Sequence, residues 1–112
     1  MKHRIEQKGE GIVVSFEGDV DLQGSPVARD VLLEAVERSG RVAVDLSAVG
    51  YIDSSGIAAL VEALQRSRQR KDGSTLVLAA VSDPVLRVLR LARLDRVFTI
   101  HPTLGDAFLE KR

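Results

Sequence analysis

The sequence predicts an α/β protein with one mixed β-sheet, and three observations predict it. Short apolar runs alternate with amphipathic stretches, a Gly9-Glu10-Gly11 turn joins the first two runs, and Thr75 to Val81 is almost continuously apolar, as in a central strand covered on both faces. The predicted order is β-β-α-β-α-β-α-β-α: an N-terminal hairpin, then parallel strands with right-handed crossovers and about four helices. The 112 residues fit one domain over residues 1–112.

The first part of the chain predicts a hairpin, a loop and a helix. His3 to Lys8 alternates weakly, as in an edge strand, and Ile12 to Glu17 carries apolar residues at period 2. Gly18 to Gly24 predicts a loop. Ser25 is then the expected N-cap, and Pro26 suits the first helical position because the N–H group there is unpaired in any case. The expected apolar face of this helix is Val27, Val31, Leu32, Ala35 and Val36, and Gly40 is expected to end it.

The middle of the chain predicts two buried strands around a second helix. Arg41 to Leu46 is the third strand, Ile57 to Arg70 has helical periodicity, and Asp72-Gly73 is the turn that follows. Thr75 to Val81 is the fourth strand. The residues expected on the apolar face of the second helix are Ile57, Leu60, Val61 and Leu64.

The last part predicts a third helix, a short strand and a short helix. Ser82-Asp83-Pro84 opens the third helix, Val97 to Ile100 is the last strand, and Leu104 to Glu110 is the last helix. The buried face expected for the third helix is Val85, Val88, Leu89 and Ala92. Four arginines that recur every three residues are interpreted as its solvated side: Arg87, Arg90, Arg93 and Arg96.

Charge and composition exclude several functional classes. The net charge is zero and aromatic residues make up only 4%, with no Trp, which disfavours direct nucleic-acid binding. Residues 1–62 carry a net charge of −5 and residues 63–112 a net charge of +5, an asymmetry that suits either solvated surface or the orientation of a protein partner. The absence of Cys removes disulfides, thiolate metal sites and Cys nucleophiles. Because no signal sequence or membrane-spanning stretch is recognisable, we expect a cytoplasmic protein with no membrane insertion.

The sequence contains no pattern that predicts catalysis or metal binding. His3 and His101 are the only imidazoles, neither is placed to activate a serine near Asp53, and the Gly-x-Ser-x-Gly and Walker A patterns are absent. Asp19-x-Asp21-x-Gln23-Gly24 with Asp30 superficially resembles a calcium loop, but a strand precedes it and Asp30 replaces the bidentate Glu. We therefore predict no catalytic residue, no cofactor and no metal.

The most distinctive stretch is Gly50-Tyr51-Ile52-Asp53-Ser54-Ser55-Gly56-Ile57, between the third strand and the second helix. It places two hydroxyls and a carboxylate at a helix N-terminus, beside backbone N–H groups that are free of helical partners. Two interpretations stay open on these grounds. Ser and Asp are preferred helix caps, and Gly eases a tight approach to the helix. Alternatively, a serine here accepts a phosphate, which adds about −1.5 to −2 charges and suits a helix N-terminus.

Four segments, taken with the order of the elements, carry a resemblance to a known family. They are Gly18-Asp19-Val20-Asp21, the central strand and motif from Val44 to Gly56, Leu76 to Pro84, and Leu91 to Phe98. Through them the whole chain resembles the STAS domain family, and more closely its bacterial anti-sigma factor antagonist branch.

The resemblance implies a regulatory binding protein and not an enzyme. Unphosphorylated antagonists bind and sequester an anti-sigma factor with serine-kinase activity, phosphorylation of the motif's first serine releases it, and a serine phosphatase resets the switch. That phosphoacceptor is Ser54 here. The resemblance places Asp21 beside it, Asp53 and Ser55 on either side, and a tight turn at Gly56. We expect a cytoplasmic protein that is a monomer when free.

A second function is open within the same family. Some STAS domains are subunits of bacterial lipid-transport ABC systems and dock on the ATPase. Such subunits often lack an intact Asp-Ser-Ser-Gly, whereas this chain has it as residues 53–56. The resemblance therefore favours the sigma-factor switch.

Overall fold

The computed structural model describes residues 1–70 and 73–109, and these form the predicted order of elements. The strands are β1 (Lys2–Lys8), β2 (Gly11–Val20), β3 (Arg41–Ile52), β4 (Thr75–Ala79) and β5 (Ile100–His101). The helices are α1 (Ser25–Arg38), α2 (Ser54–Arg68), α3 (Asp83–Leu91) and α4 (Leu104–Leu109). Two expected features, the turn residue Asp72 and the last helical residue Glu110, lie outside the described residues.

The five strands form one sheet in the order β1-β2-β3-β4-β5. β1 and β2 are antiparallel and every other neighbouring pair is parallel, which confirms the mixed sheet with an N-terminal hairpin. Lys8 pairs with Gly11 across the two-residue loop Gly9-Glu10. Gly9 has a φ of +59°, the value required at the first central position of a type II′ turn, and glycine adopts it without steric strain.

The two faces of the sheet are covered by different helices. Successive residues of a strand face opposite sides of a sheet. On β2, Ile12, Val14 and Phe16 pack into the main core together with apolar residues of α1, α2 and α3. The other face carries a smaller cluster around Ala43 and Ala107, against which α4 packs. The main core therefore holds the start of α2 firmly against the sheet.

Helix α1 begins differently from the prediction. Gly24 is the N-cap, no side chain caps the helix, and Ser25 is its first residue instead of its cap. Asp21 fixes this start, because its Oδ1 accepts the N–H of Gly24 at 2.9 Å and so shapes the preceding loop. Val27, expected in the core, is 47% exposed, and Ala28 is buried in its place.

Strands β2 and β3 extend further than predicted, which corrects the loop expected at Gly18 to Gly24. Their pairing continues past two register shifts, between Ser15 and Glu17 and between Gly18 and Asp19, to the Val20–Ile52 pair. Such bulges interrupt the period-2 alternation on which the prediction depends. As a result β3 runs directly into Asp53.

Helix α3 ends in a Schellman motif. The N–H of Leu94 donates to the carbonyl of Leu89 at 2.8 Å, and the N–H of Arg93 donates to the carbonyl of Arg90 at 3.0 Å. Arg93 has a φ of +62°, a left-handed conformation in which glycine is usual. Ala92, expected on the buried face, is exposed.

The ends of the remaining elements agree with the prediction only in part. α1 ends as expected, with Ser39 as its C-cap and Gly40 directly after the cap, and the buried Ser39 hydroxyl donates to the Glu10 carbonyl at 3.0 Å. β4 ends where Ala80 takes a φ of +51°. β5 is shorter than the expected strand 97–100, although Phe98 is buried in the main core. Within residues 1–70 and 73–109, no helix is long and apolar enough to cross a membrane.

Candidate functional site

The Asp-Ser-Ser-Gly motif lies where β2 and β3 both end. Val20 and Ile52 are the last paired residues of these parallel strands, and the N–H of Asp53 donates to the carbonyl of Val20 at 3.4 Å. Parallel strands present their carboxyl ends at one edge, so the loop from β2 to α1 and the start of α2 lie side by side. The motif is therefore the junction of β3 and α2, and not the longer loop that the sequence predicts.

Asp53 is the N-cap of α2. Its Oδ1 accepts the N–H groups of Ser55 at 2.9 Å and Gly56 at 3.2 Å, and its carbonyl accepts the N–H of Ile57 at 2.9 Å. Its Oδ2 accepts the N–H of Leu22, in the loop between β2 and α1, at 3.1 Å. One carboxylate thus caps α2 and joins its start to the loop between β2 and α1.

Ser54 is the first residue of α2 and is exposed. Its hydroxyl makes no hydrogen bond to any other described residue, because Asp53 already serves as the helix cap. The capping interpretation of the motif therefore applies to Asp53 and leaves the Ser54 hydroxyl accessible. The backbone N–H groups next to it are not free as expected, since those of Ser55, Gly56 and Ile57 all bond to Asp53.

Asp21 belongs to the same junction through the loop between β2 and α1. Its Oδ1 accepts the N–H groups of Gln23 at 3.1 Å and Gly24 at 2.9 Å, and its carbonyl accepts the N–H of Ser25 at 2.7 Å. The half-buried carboxylate closes an Asx turn and does not bond to Ser54. Its position in the loop that Asp53 anchors places a second negative charge at this edge of the sheet.

Gly56 lies inside α2, which corrects the tight turn expected of it. It is buried, and a Cβ there would collide with the backbone oxygen of Val20 and lie 2.7 Å from Cγ1 of Ile52. Gly56 therefore permits the close approach of α2 to the ends of β2 and β3. This approach sets the position of Ser54 relative to the neighbouring loop.

Leu22 is a surface residue of the junction that the sequence analysis missed. Leu22 is 71% exposed, and its backbone N–H donates to Oδ2 of Asp53. A single apolar residue between Asp21 and Gln23 in an otherwise polar loop is the only signal in the sequence that could have indicated it. Together Leu22 and Ser54 offer an apolar and a neutral polar group on adjacent segments.

A shallow groove of about 240 Å³ separates α1 from α2 beside this junction, and Ser25 and Ser55 both line it. Arg29 crosses it, donating from Nε and Nη2 to the two carboxylate oxygens of Glu62 at 2.7 and 2.8 Å. The hydrogen bond to Arg29 lowers the pKa of the Glu62 carboxyl below its ordinary value and raises the pKa of Arg29. Both groups are exposed, so salt screens the pair, and its small effect disappears as the pH falls through the lowered pKa of Glu62.

Metal-binding clusters are absent from the described part of the chain. Among residues 1–70 and 73–109, no group of three or more His, Asp or Glu side chains is placed to hold a metal ion. His3 lies in β1 and His101 in β5. The arrangement offers an exposed serine hydroxyl, a capped helix and two fixed carboxylates, which suits recognition and modification.

Comparison with known proteins identifies the class. The STAS domain profile matches residues 3–107, so the chain belongs to the STAS domain family. It is similar to the anti-sigma-B factor antagonist of Listeria monocytogenes, with 29% identity over 102 residues that cover 90% of this chain and 88% of the relative.

Solved structures show the same fold. An anti-sigma factor antagonist from Mycobacterium paratuberculosis superposes with a TM-score of 0.82 and 25% identity, covering 95% of this chain and 89% of that one. The Bacillus cell fate determinant SpoIIAA, in its phosphorylated form, superposes with a TM-score of 0.72 and 16% identity over 95% of this chain and 96% of that one. The predicted fold class is therefore confirmed.

Proposed function

We propose that the chain is an anti-sigma factor antagonist that works by partner switching. Its unphosphorylated form binds and sequesters an anti-sigma factor with serine-kinase activity, and phosphorylation of Ser54 releases that partner. The observation that carries the proposal is that Asp53 caps α2, so that the hydroxyl of Ser54 is exposed and serves no structural bond among the described residues. Its relatives are named as anti-sigma factor antagonists, which indicates an anti-sigma factor as the class of partner.

In the unphosphorylated state the junction presents a surface suited to a protein partner. Leu22 offers apolar area on a loop that Asp53 and Asp21 hold in place, and Ser54 offers a neutral hydroxyl beside it. Burying a hydroxyl is tolerable when the partner supplies a hydrogen bond. The acidic half of the sequence, residues 1–62, favours a partner whose facing surface is basic.

Phosphorylation changes one bond at this surface. Oγ of Ser54 bonds to the γ-phosphorus of ATP held by the kinase, ADP leaves, and the hydroxyl proton passes to a base of the kinase. A phosphatase later uses water to cleave the phosphate ester and restore the hydroxyl. In this role the chain is the substrate of two cytoplasmic enzymes and is not itself an enzyme.

The phosphate at Ser54 would weaken partner binding by its charge. It adds about −1.5 to −2 charges next to the carboxylate of Asp53. The N–H groups of Ser55 and Gly56, which otherwise attract a phosphate at a helix start, already bond to Asp53. With those two donors occupied, the added charge depends largely on solvent, and burial against a partner requires its desolvation. The fold survives because Ser54 is exposed, and SpoIIAA, which shares this fold, exists in a phosphorylated form.

A pull-down from the native cytoplasm with wild-type and Ser54→Asp baits tests the proposal. We expect a histidine-kinase-like ATPase to be retained by the wild type and lost with Ser54→Asp. Ser47→Asp is the matched control, because Ser47 is also exposed but lies on β3, away from the start of α2. That control should retain the partner.

Two results would contradict the proposal. Retention of the anti-sigma factor by Ser54→Asp at the wild-type level would show that charge at this position does not control release. Recovery of ABC-transporter subunits with both baits would instead assign the chain to a transport system, with Ser54 as a helix residue without regulatory function. Circular dichroism of each bait establishes that it is folded.

A further inference from the structure

We propose that the free edge of β1 is a homodimer interface, in which two copies pair their β1 strands antiparallel about Ile5 and join their sheets. β1 is at the edge of the sheet, and all seven of its residues are exposed. A strand of this length with one unpaired edge is a template for another strand. The edge contains no residue of the Ser54 junction, so this interface is independent of the proposed function. The proposal departs from the free monomer expected from the sequence.

The hairpin determines which backbone groups of β1 are unpaired. Lys8 and Gly11 flank a two-residue loop and therefore form a hydrogen-bonded pair, and such pairs recur at every second residue along the ladder. The N–H and C=O groups of His3, Ile5 and Gln7 consequently point away from β2. An antiparallel copy centred on Ile5 pairs Ile5 with itself and His3 with Gln7, which satisfies all of these groups.

The same register brings opposite charges together on one face. Arg4 lies opposite the partner's Glu6, and the two-fold symmetry produces this pair twice. Within one copy, Arg4 is opposite Ser15 and Glu6 is opposite Val13, so neither charge has a charged cross-strand neighbour. Neither forms an ion pair with any residue in the described ranges. Opposite charges facing each other across a ladder are favourable, and like charges are unfavourable.

Other registers are less favourable. Sliding the copies by two residues in one direction places Arg4 opposite itself, although Lys2 then faces the partner's Glu6. Sliding in the other direction places Glu6 opposite itself and Arg4 opposite the partner's Lys8. Either shift also leaves only about five residues of each β1 paired. In the centred register, Lys2 faces the partner's Lys8 at both ends, and these like-charge contacts offset part of the gain from the pairs between Arg4 and Glu6. Among these registers the centred one is favoured because it alone pairs all seven residues of β1 and every backbone group that points away from β2.

Sedimentation equilibrium of the full chain between about 5 and 500 µM tests the interface. We expect the wild type to dimerise reversibly, and Arg4→Glu and Glu6→Arg each to weaken dimerisation about tenfold or more, because each creates two like-charge pairs. The double variant Arg4→Glu/Glu6→Arg restores opposite charges, so its dimerisation constant should return to within about threefold of the wild type. Arg87→Glu is the control, since Arg87 is exposed on α3, and it should leave dimerisation unchanged.

A second variant tests the backbone pairing. Ile5→Pro removes an N–H group that points to solvent in the monomer, a position where proline is tolerated in an edge strand, and it should abolish dimerisation while thermal unfolding remains cooperative. The proposal is overturned if the wild type is monomeric at about 500 µM, if the double variant is as weak as the single ones, or if Ile5→Pro still dimerises.

Discussion

Asp53 and Ser54 are adjacent in the sequence and have separate roles in the structure. Either side chain is chemically suited to cap a helix. The structure assigns the cap to Asp53, whose Oδ1 accepts the N–H groups of Ser55 and Gly56. Ser54 becomes the first helical residue, with its hydroxyl toward solvent. The residue that carries the proposed switch is thereby separated from the residue that stabilises the helix.

The two roles predict different effects of alanine substitution on stability. Asp53→Ala removes the helix cap and the acceptor for Leu22, and it should lower the free energy of unfolding by about 1–2 kcal/mol. Ser54→Ala removes an exposed hydroxyl and should change it by less than about 0.5 kcal/mol. Urea unfolding followed by circular dichroism measures both. An equal loss for the two variants would mean that the Ser54 hydroxyl is structural.

Gly56 and Gly50 form a matched pair for testing close packing. A Cβ at Gly56 would collide with the carbonyl of Val20, so we expect Gly56→Ala to lower the free energy of unfolding by about 2–3 kcal/mol. A Cβ at Gly50 meets no atom within 4 Å, and Gly50→Ala should leave stability unchanged or raise it by up to about 1 kcal/mol. Chemical denaturation compares the two. If Gly56→Ala is as stable as Gly50→Ala, the close approach of α2 to β2 is not required.

The positions of the site residues follow from the sequence, whereas their contacts do not. The run of apolar residues before Asp53 and the helical periodicity after it locate the motif at a helix start. The sequence cannot show that Asp53 also accepts a hydrogen bond from Leu22, 31 residues earlier, because that contact depends on two parallel strands ending together. The same limit applies to the bidentate pair between Arg29 and Glu62, which joins two helices.

At the scale of elements, the end of α3 shows a conflict between local preference and tertiary packing. The Schellman motif requires a left-handed residue, and Arg93 occupies that position although glycine is preferred there. Leu89, whose carbonyl accepts the N–H of Leu94, is completely buried in the main core. The packing of this end of the helix therefore maintains a conformation that the arginine disfavours.

Replacing Arg93 should relieve this strain. We expect Arg93→Gly to raise the free energy of unfolding by up to about 1 kcal/mol, because glycine adopts a positive φ without steric conflict. Arg90→Gly, inside the same helix, should lower it by about 1 kcal/mol, because glycine is a poor helix former there. Thermal unfolding of the two variants under identical conditions checks the signs. If Arg93→Gly loses as much stability as Arg90→Gly, the left-handed conformation of Arg93 is not strained.

The elements were predictable in type and less so in length. Hydrophobic patterning locates β2, β3, β4 and the four helices, because each of them buries apolar residues, whereas the fully exposed β1 was indicated only by weak alternation and the glycine turn that follows it. β2 and β3 were underestimated because their bulges break the alternation near Ser15 and Gly18. β5 was misplaced because Phe98 is buried without being paired in the sheet, and burial alone does not distinguish a strand from an ordered loop.

At the scale of the whole molecule, the alternation of strands and helices in the sequence predicts the fold class. It does not predict the order of the strands in the sheet. Strand–helix repetition predicts parallel pairing, and a short glycine turn predicts a hairpin. Which strand lies beside which depends on where each crossover helix packs. The structure shows that α1, α2 and α3 share one face of the sheet, and that α4 packs on the other.

The order β1-β2-β3-β4-β5 makes every pair of neighbours in the sheet also consecutive strands in the chain. Each new pairing therefore closes a loop no longer than one connecting segment, and the entropy lost in closing a loop grows only slowly with its length. The sheet is able to grow strand by strand in the direction of synthesis, beginning with the hairpin, before the C-terminal residues leave the ribosome. Chains whose paired strands are close in the sequence fold faster than chains whose paired strands are far apart in it, because their contacts span shorter stretches of chain.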